Sequence, residues 1–286
     1  MKVAITGSHG LIGSALASSL SEDGHEVVRV ARSPTGPDVT ALSGCDAVVN
    51  LAGAGIGDAR WTDERKRLVL ESRTHTTAAV AAACAEPGGP KVLLSGSAVG
   101  FYGDRGDEVL TEAASSGGQY LSEIVRQWEG AAQPAADAGV RVAFLRTGVV
   151  LAQHGGALGK MLPLFKVGLG GRIGSGKQWF SWISLPDEIG AIRFLLERDV
   201  AGPVNLTAPA PLTNAAFTKA LGKELHRPTF LPVPRFGPAL LVGREAAREM
   251  VIAGQRVVPA VLEREGFAFR HPDIATGLRY ATGHER

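Results

Sequence analysis

The sequence predicts an α/β fold: a doubly wound parallel sheet with helices on both faces, joined to a smaller mixed C-terminal lobe. Three observations carry the prediction. Short, β-branched apolar runs alternate with longer helical patterns through the first half of the 286 residues, and strand–helix alternation of that length builds parallel βαβ units covered on both faces. The first run passes directly into a glycine-rich turn and then into a helical pattern. Beyond Leu151 the texture changes to Gly- and Pro-rich segments with recurring helical stretches, which is how an irregular second lobe reads.

The elements follow in chain order. Val3 to Thr6 reads as a strand, followed by a helix over 10 to 22. Glu26 to Val30, Asp46 to Leu51, Lys91 to Ser95 and Val140 to Arg146 read as the next strands. Between them the spacing predicts helices over 62 to 85 and 118 to 138, the first N-capped by Thr62 ahead of Asp63 and Glu64. In the second half helical patterns recur over 186 to 197, 213 to 224, 236 to 252 and 273 to 281. The expected division is a nucleotide-binding domain over 1–151 and a smaller substrate-binding lobe over 152–286, with the chain free to cross between them.

Composition narrows the function classes. With 45% hydrophobic and 20% charged residues the chain can bury a large core. Lys+Arg 30 against Asp+Glu 28 leaves a formal +2, too little bulk field to hold a nucleic acid or an anionic membrane. Cys45 and Cys84 are the two cysteines, and the seven histidines show no HxxxH pair. A disulfide framework and a metal site are therefore not expected. The segment from Lys2 to Leu20 mimics a signal peptide, but Ser8, His9 and three glycines interrupt it. The expectation is a soluble, cytoplasmic protein, monomer or homodimer, acting on a small molecule.

The chemistry begins at Gly7-Ser-His-Gly10-Leu-Ile-Gly13. In a chain with 37 glycines a bare GxxGxxG means little, but here it lies between the first strand and the first helix. In that place glycines allow the tight turn and close helix–strand packing, and helix N-terminal amides receive a pyrophosphate. This is a Rossmann-type dinucleotide site. The second strand ends in Ala31-Arg32-Ser33, with no carboxylate to accept from a ribose. A guanidinium there suits a 2′-phosphate, so the expected cofactor is NADP(H). Gly171 to Lys177 matches GxxxxGK, but Gln178 follows where a P-loop needs Ser or Thr.

These residues resemble the extended short-chain dehydrogenase/reductase superfamily. More narrowly, the chain is similar to the epimerase family protein group with an uncharacterised C-terminal domain, related to nucleoside-diphosphate-sugar epimerases. Besides Thr6 to Gly13, the matching pieces include Asn50 to Gly53, Ser72-Arg73, Ser95 to Gly103, Trp128-Glu129, Arg146 to Leu151, Gly170 to Gly176 and Gly254 to Val257. The resemblance implies that Gly7, Ser8, His9, Gly10, Leu11, Ile12 and Gly13 hold the pyrophosphate. It places Arg32 and Ser33 at the 2′-phosphate, Leu51, Ala52 and Gly53 beside the adenosine ribose, and Arg73 and Ser95 near the cofactor. Ser97 falls at the catalytic serine position and Tyr120, 23 residues on, at the catalytic tyrosine. The YxxxK lysine is replaced by Ile124, and Ala98-Val99 stands where sugar-nucleotide dehydratases carry Asp-Glu. The implied activity is hydride transfer between NADP(H) and an unknown carbonyl or carbinol, by an oxidoreductase or an epimerase-like enzyme. The alternative is a non-catalytic NADP(H)-binding sensor or interaction protein.

Overall fold

In a computed structural model, which describes residues 1–33, 36–234 and 236–285, six parallel strands form the central sheet. They are β1 (Lys2–Thr6), β2 (Glu26–Arg29), β3 (Ala47–Asn50), β4 (Val92–Ala98), β5 (Arg141–Thr147) and β6 (Gly202–Leu206), in the order β6-β5-β4-β3-β1-β2. Side chains alternate across it with the two-residue period of a strand. Val3, Ile5, Val49, Leu94 and Leu145 enter the core on one face, while Ala4, Val48, Leu93 and Val142 enter the core on the other.

The first core is closed by α1 (Leu11–Glu22) and α6 (Leu185–Glu197), which supply Leu16, Leu20, Ile192 and Leu195. The second is closed by α2 (Asp63–Ala85) and by α4 (Gln133–Asp137), through Val80, Ala81, Cys84 and Ala135. Both cysteines are free and buried there. Thr62 caps α2 as expected, its side chain accepting from the Arg65 amide at 3.1 Å. No helix among the described residues is long and apolar enough to cross a membrane.

Two helices expected as continuous are divided. The 118 to 138 pattern becomes α3 (Tyr120–Gly130) and α4, because Pro134 has no amide to continue the ladder and instead sits in the first turn of the second helix. The 236 to 252 pattern becomes α8 (Gly237–Val242), α9 (Arg244–Ala247) and a π turn over Arg248–Ile252. Gly243, at φ +90°, breaks the run between the first two.

The second half does not stay apart from the first. α6 and β6 return to the sheet, β6 pairing with β5 from Gly202↔Ala143 to Leu206↔Thr147. The rest forms a third core around Leu158, Phe165, Trp182, Phe217 and Leu278. It is built on α5 (Gly156–Lys166), α7 (Asn214–Glu224) and the last helix, Ile274–Thr282.

Candidate active site

At the carboxyl ends of β1 and β3 the chain leaves a cleft of about 310 Å³, the place where ligands enter an open parallel sheet. Gly7, Ser8, His9, Gly10, Arg32, Leu51, Ala52 and Gly53 all line it. Gly7 has φ +66°, and a Cβ on it would lie 2.7 Å from the Leu51 carbonyl oxygen. A Cβ on Gly13 would lie 2.3 Å from the Gly7 oxygen. The first and third glycines are thus required by contact between loop, helix and sheet. Leu11, Ile12 and Gly13 form the first turn of α1 behind the lining.

Side chains lock this loop. Thr6 Oγ1 donates to Asn50 Oδ1 at 2.6 Å and accepts the Leu51 and Ala52 amides at 3.1 and 3.2 Å. Asn50 Nδ2 donates to Thr77 Oγ1 on α2, which also accepts the Trp128 indole N–H from α3. Arg29 donates to the Ser8 carbonyl at 2.7 Å. Neither Arg29 nor Thr77 carries a motif signature, since each is recognisable only once β2, α2 and the loop are folded together. The lining also includes Val30, Ala31, Pro37 and Thr76.

The cleft fits a dinucleotide on its own chemistry. Ser8 Oγ is buried with no hydrogen-bond partner, the loop has space only because glycines form it, and the Arg32 guanidinium is exposed at the rim. Ser33 lies beyond the lining, its hydroxyl donating to the Gly36 carbonyl at 3.1 Å. Ser95 sits beside Asn50 in the sheet register, buried, with its hydroxyl unpartnered. Arg73 on α2 stands against Gly53, where an added Cβ would meet its Cζ at 3.1 Å. It donates to the carbonyls of Ala54 and Val69, and burial, with Arg65 nearby, pushes its pKa down to about 10. It remains a cation at neutral pH with no carboxylate paired to it among the described ion pairs.

The two expected catalytic side chains turn to different partners. Ser97 donates its proton to Glu129 Oε1 at 2.6 Å. Glu129 is in turn held by both Nε and Nη2 of Arg146, at 2.8 and 2.9 Å. Arg146 Nη1 donates to the Tyr102 hydroxyl, which donates to Asn205 on β6. Trp128-Glu129 and Arg146 stand in the sequence as separate motifs, and nothing in their spacing says they pair. Tyr102 is fully buried in this network, as a packing role requires.

Tyr120 opens α3, its ring edge-on to Trp61 at 5.5 Å. Lys66 Nζ lies 4.9 Å from that ring, so a cation stands near the phenol although Ile124 is buried in place of the expected lysine. Burial still pushes the phenol up, Lys66 partly opposes it, and Glu245, which pairs with Lys66, adds to the rise together with Glu249 and Asp63. The phenol therefore keeps its proton at neutral pH. Glu249, from the π turn, accepts the Tyr120 and Leu121 amides at 3.2 and 2.7 Å and so caps a helix whose own N-cap residue, Gln119, turns its side chain to the Asp104 amide instead.

A second cleft, of about 510 Å³, lies where the 56–58 loop, Val99 and Val149 face α5, the 173–181 segment and the 242–255 segment. Trp179 lines it, while Trp182 is core. Gly171 to Lys177 is a loop between α5 and the short strand Trp179–Phe180, with no strand entering it and no helix leaving it as a P-loop requires.

Residues 3–207 match the NAD dependent epimerase/dehydratase family, and residues 233–281 match a domain of unknown function, DUF1731. An epimerase family protein of Mycobacterium leprae is 45% identical over 294 residues, covering 98% of this chain and 95% of its own length. The crystal structure of human epimerase family protein SDR39U1 with NADPH superposes with a TM-score of 0.91 at 36% identity over 100% of both chains. That of a nucleoside-diphosphate sugar epimerase from Corynebacterium glutamicum gives 0.81 at 38% identity, covering 100% of this chain and 59% of the other.

Proposed function

This chain belongs to the NAD dependent epimerase/dehydratase family, and from that premise we propose that it is an NADP(H)-dependent oxidoreductase acting on a carbonyl or carbinol substrate. The observation that carries the proposal is the cleft in which Gly7, Ser8, His9 and Gly10 converge with Arg32 and the Leu51 to Gly53 backbone. Loop amides and the α1 N-terminus hold the pyrophosphate, and Arg32 holds the 2′-phosphate that separates NADP(H) from NAD(H). NADPH in the human relative supports the choice. Arg73, an ion without a carboxylate beside Gly53, adds positive charge along the same wall.

When bound, NADPH supplies a hydride to the carbonyl carbon. Tyr120, protonated at neutral pH, gives the proton to the carbonyl oxygen, with Lys66, itself paired with Glu245, the cation beside the ring. Ser97 can donate to a carbonyl oxygen only by leaving Glu129, and while bonded to that carboxylate it can accept only from a carbinol hydroxyl. The same 2.6 Å bond, with Ile124 in place of lysine, favours a second reading: an NADP(H)-binding sensor without turnover.

NADPH consumption across a panel of ketones, with NADPH affinity measured in parallel, separates the two. Tyr120→Phe is expected to lower turnover ~10²-fold or more and to leave NADPH affinity nearly unchanged. A reductase indifferent to Tyr120→Phe and Ser97→Ala would remove both residues from the mechanism. Tight NADPH binding with no turnover on any ketone would establish the sensor.

A further inference from the structure

The charge and wall chemistry of the 510 Å³ cleft select a substrate. Ile56, Val99, Met161, Ile173, Trp179 and Met250 make its walls largely apolar. Three of its neutral polar side chains hold those walls. Gln178 Nε2 donates to the carbonyls of Ile173 and Val251, Asn214 Oδ1 accepts the Ile173 amide, and Ser181 Oγ donates to the Gln255 carbonyl at 2.6 Å. Among the described lining residues Lys160 is the one cation. It bonds the Gly57 carbonyl at 3.0 Å and Asp58 at 3.1 Å, and both charged side chains are 63% exposed. The two charges cancel at the mouth.

The hollow next to it, about 250 Å³, shares Gln178 and Trp179 and brings Asp104 and Asp107 against Lys177. Its lining sets two carboxylates against one lysine, with Arg256 beyond it on the Trp179 ring. A nucleoside diphosphate sugar would carry two negative charges into this region, where each needs a cation or a set of amide donors to repay its desolvation. The N-terminus of α5, at Gly156 and Ala157, lends only about half a positive charge. That suffices to orient one neutral oxygen and falls short of a diphosphate.

Trp179 is fixed before any ligand arrives. Its indole N–H donates to Asp107 at 2.7 Å, and the Arg256 guanidinium lies 4.4 Å from its ring. A held aromatic wall favours a flat ring over a flexible or heavily hydroxylated body, because little order remains to be imposed on binding. The cleft adjoins the start of α1: a Cβ on Gly156 would lie 3.3 Å from Leu11, and Val99, which also lines it, follows Ser97 by two residues.

We propose that the 510 Å³ cleft binds an uncharged carbonyl compound with a flat apolar ring body, and excludes nucleoside diphosphate sugars. The proposal rests on the NADP(H) oxidoreductase reading above. Calorimetric titration of the NADP⁺ complex tests it without turnover, using 2-tetralone and 9-fluorenone as ring ketones and UDP-glucose as the sugar nucleotide. Wild type, Ala157→Phe and Met161→Glu are compared, the first variant altering an exposed helix-start residue and the second a half-buried one. At least one ketone is expected to bind saturably and to weaken about tenfold or more in both variants, while NADP⁺ affinity holds. UDP-glucose is expected to show no saturation up to about 1 mM. Saturable UDP-glucose binding, failure of both ketones, or ketone binding unmoved by both variants overturns the proposal. Loss of NADP⁺ binding in wild type would instead sink the cofactor reading and is measured first.

Discussion

Arg32 stands at the rim of the nucleotide cleft just past the end of β2, and the described lining has no carboxylate to take the place it would hold in an NAD site. Its neighbour Arg29 does different work, with one guanidinium N–H on the Ser8 carbonyl. One arginine shapes the loop, and the other, exposed at the rim, is the one proposed to meet the ligand. Arg32→Ala is accordingly expected to erase most of an NADPH-over-NADH preference of about 1–3 kcal/mol, with unfolding midpoints unchanged. Titration of both cofactors into both proteins measures it. Equal wild-type affinity for the two would remove the 2′-phosphate role.

At the scale of the element, α1 and the turn before it behave as one piece. Gly10 ends the turn at φ −75°, and a Cβ there would meet only the Gly7 oxygen, at 3.3 Å. Gly13 has no such room, because its Cβ would also lie 2.9 Å from the Ser8 Cα. Gly13→Ala therefore forces the helix off the loop and is expected to cost about 1–3 kcal/mol of stability. Gly10→Ala is expected to cost under ~1 kcal/mol without cofactor. Urea unfolding of the two variants, with NADPH absent, gives the comparison, and a reversed order would show that Gly10 rather than Gly13 sets the packing. α3 offers a second lesson about elements: its N-terminus is capped by Glu249, 128 residues away from Leu121, so the placement of Tyr120 depends on the C-terminal segment.

Over the whole molecule the two halves meet at α6. Its Glu188 is fully buried, with Thr147 of β5 donating to Oε1 at 2.9 Å and Oε2 unpartnered. Burial pushes the carboxyl from 4.5 up to about 8, against the opposing Thr147 bond. The folded protein thus keeps a proton that the unfolded chain releases. Below pH 4.5 both states are protonated and nothing is lost. As pH rises from about 4.5 to 8, stability falls by roughly 1.4 kcal/mol per unit, about 5 kcal/mol in all, and then levels. Glu188→Gln removes this slope, so the variant's stability relative to wild type should rise between pH 5 and 8. Parallel slopes in thermal unfolding would mean that Glu188 is ionised in the fold.

How much of this was legible follows from how local each signal is. The strand periods, the Gly7 to Gly13 turn, the Thr62 cap and Arg32 each depend on a few consecutive residues, so the sequence by itself determined five strands of the sheet and the glycine turn, and pointed to Gly7 to Gly10, Arg32 and Leu51 to Gly53, which the fold brings around one cleft. Pro134 and Gly243 were also local signals, and they outweighed the apolar periodicity that suggested longer helices. The return of β6 to the sheet, the Ser97–Glu129–Arg146 chain, Lys66 beside Tyr120 and the Glu249 cap join residues far apart in the sequence. Only the tertiary structure decided these, because a hydrogen bond or an ion pair is chosen by distance after packing, and residue type alone leaves many partners open. The 510 Å³ cleft belongs to the same class: its neutrality comes from Lys160 meeting Asp58 across the two halves, 102 residues apart.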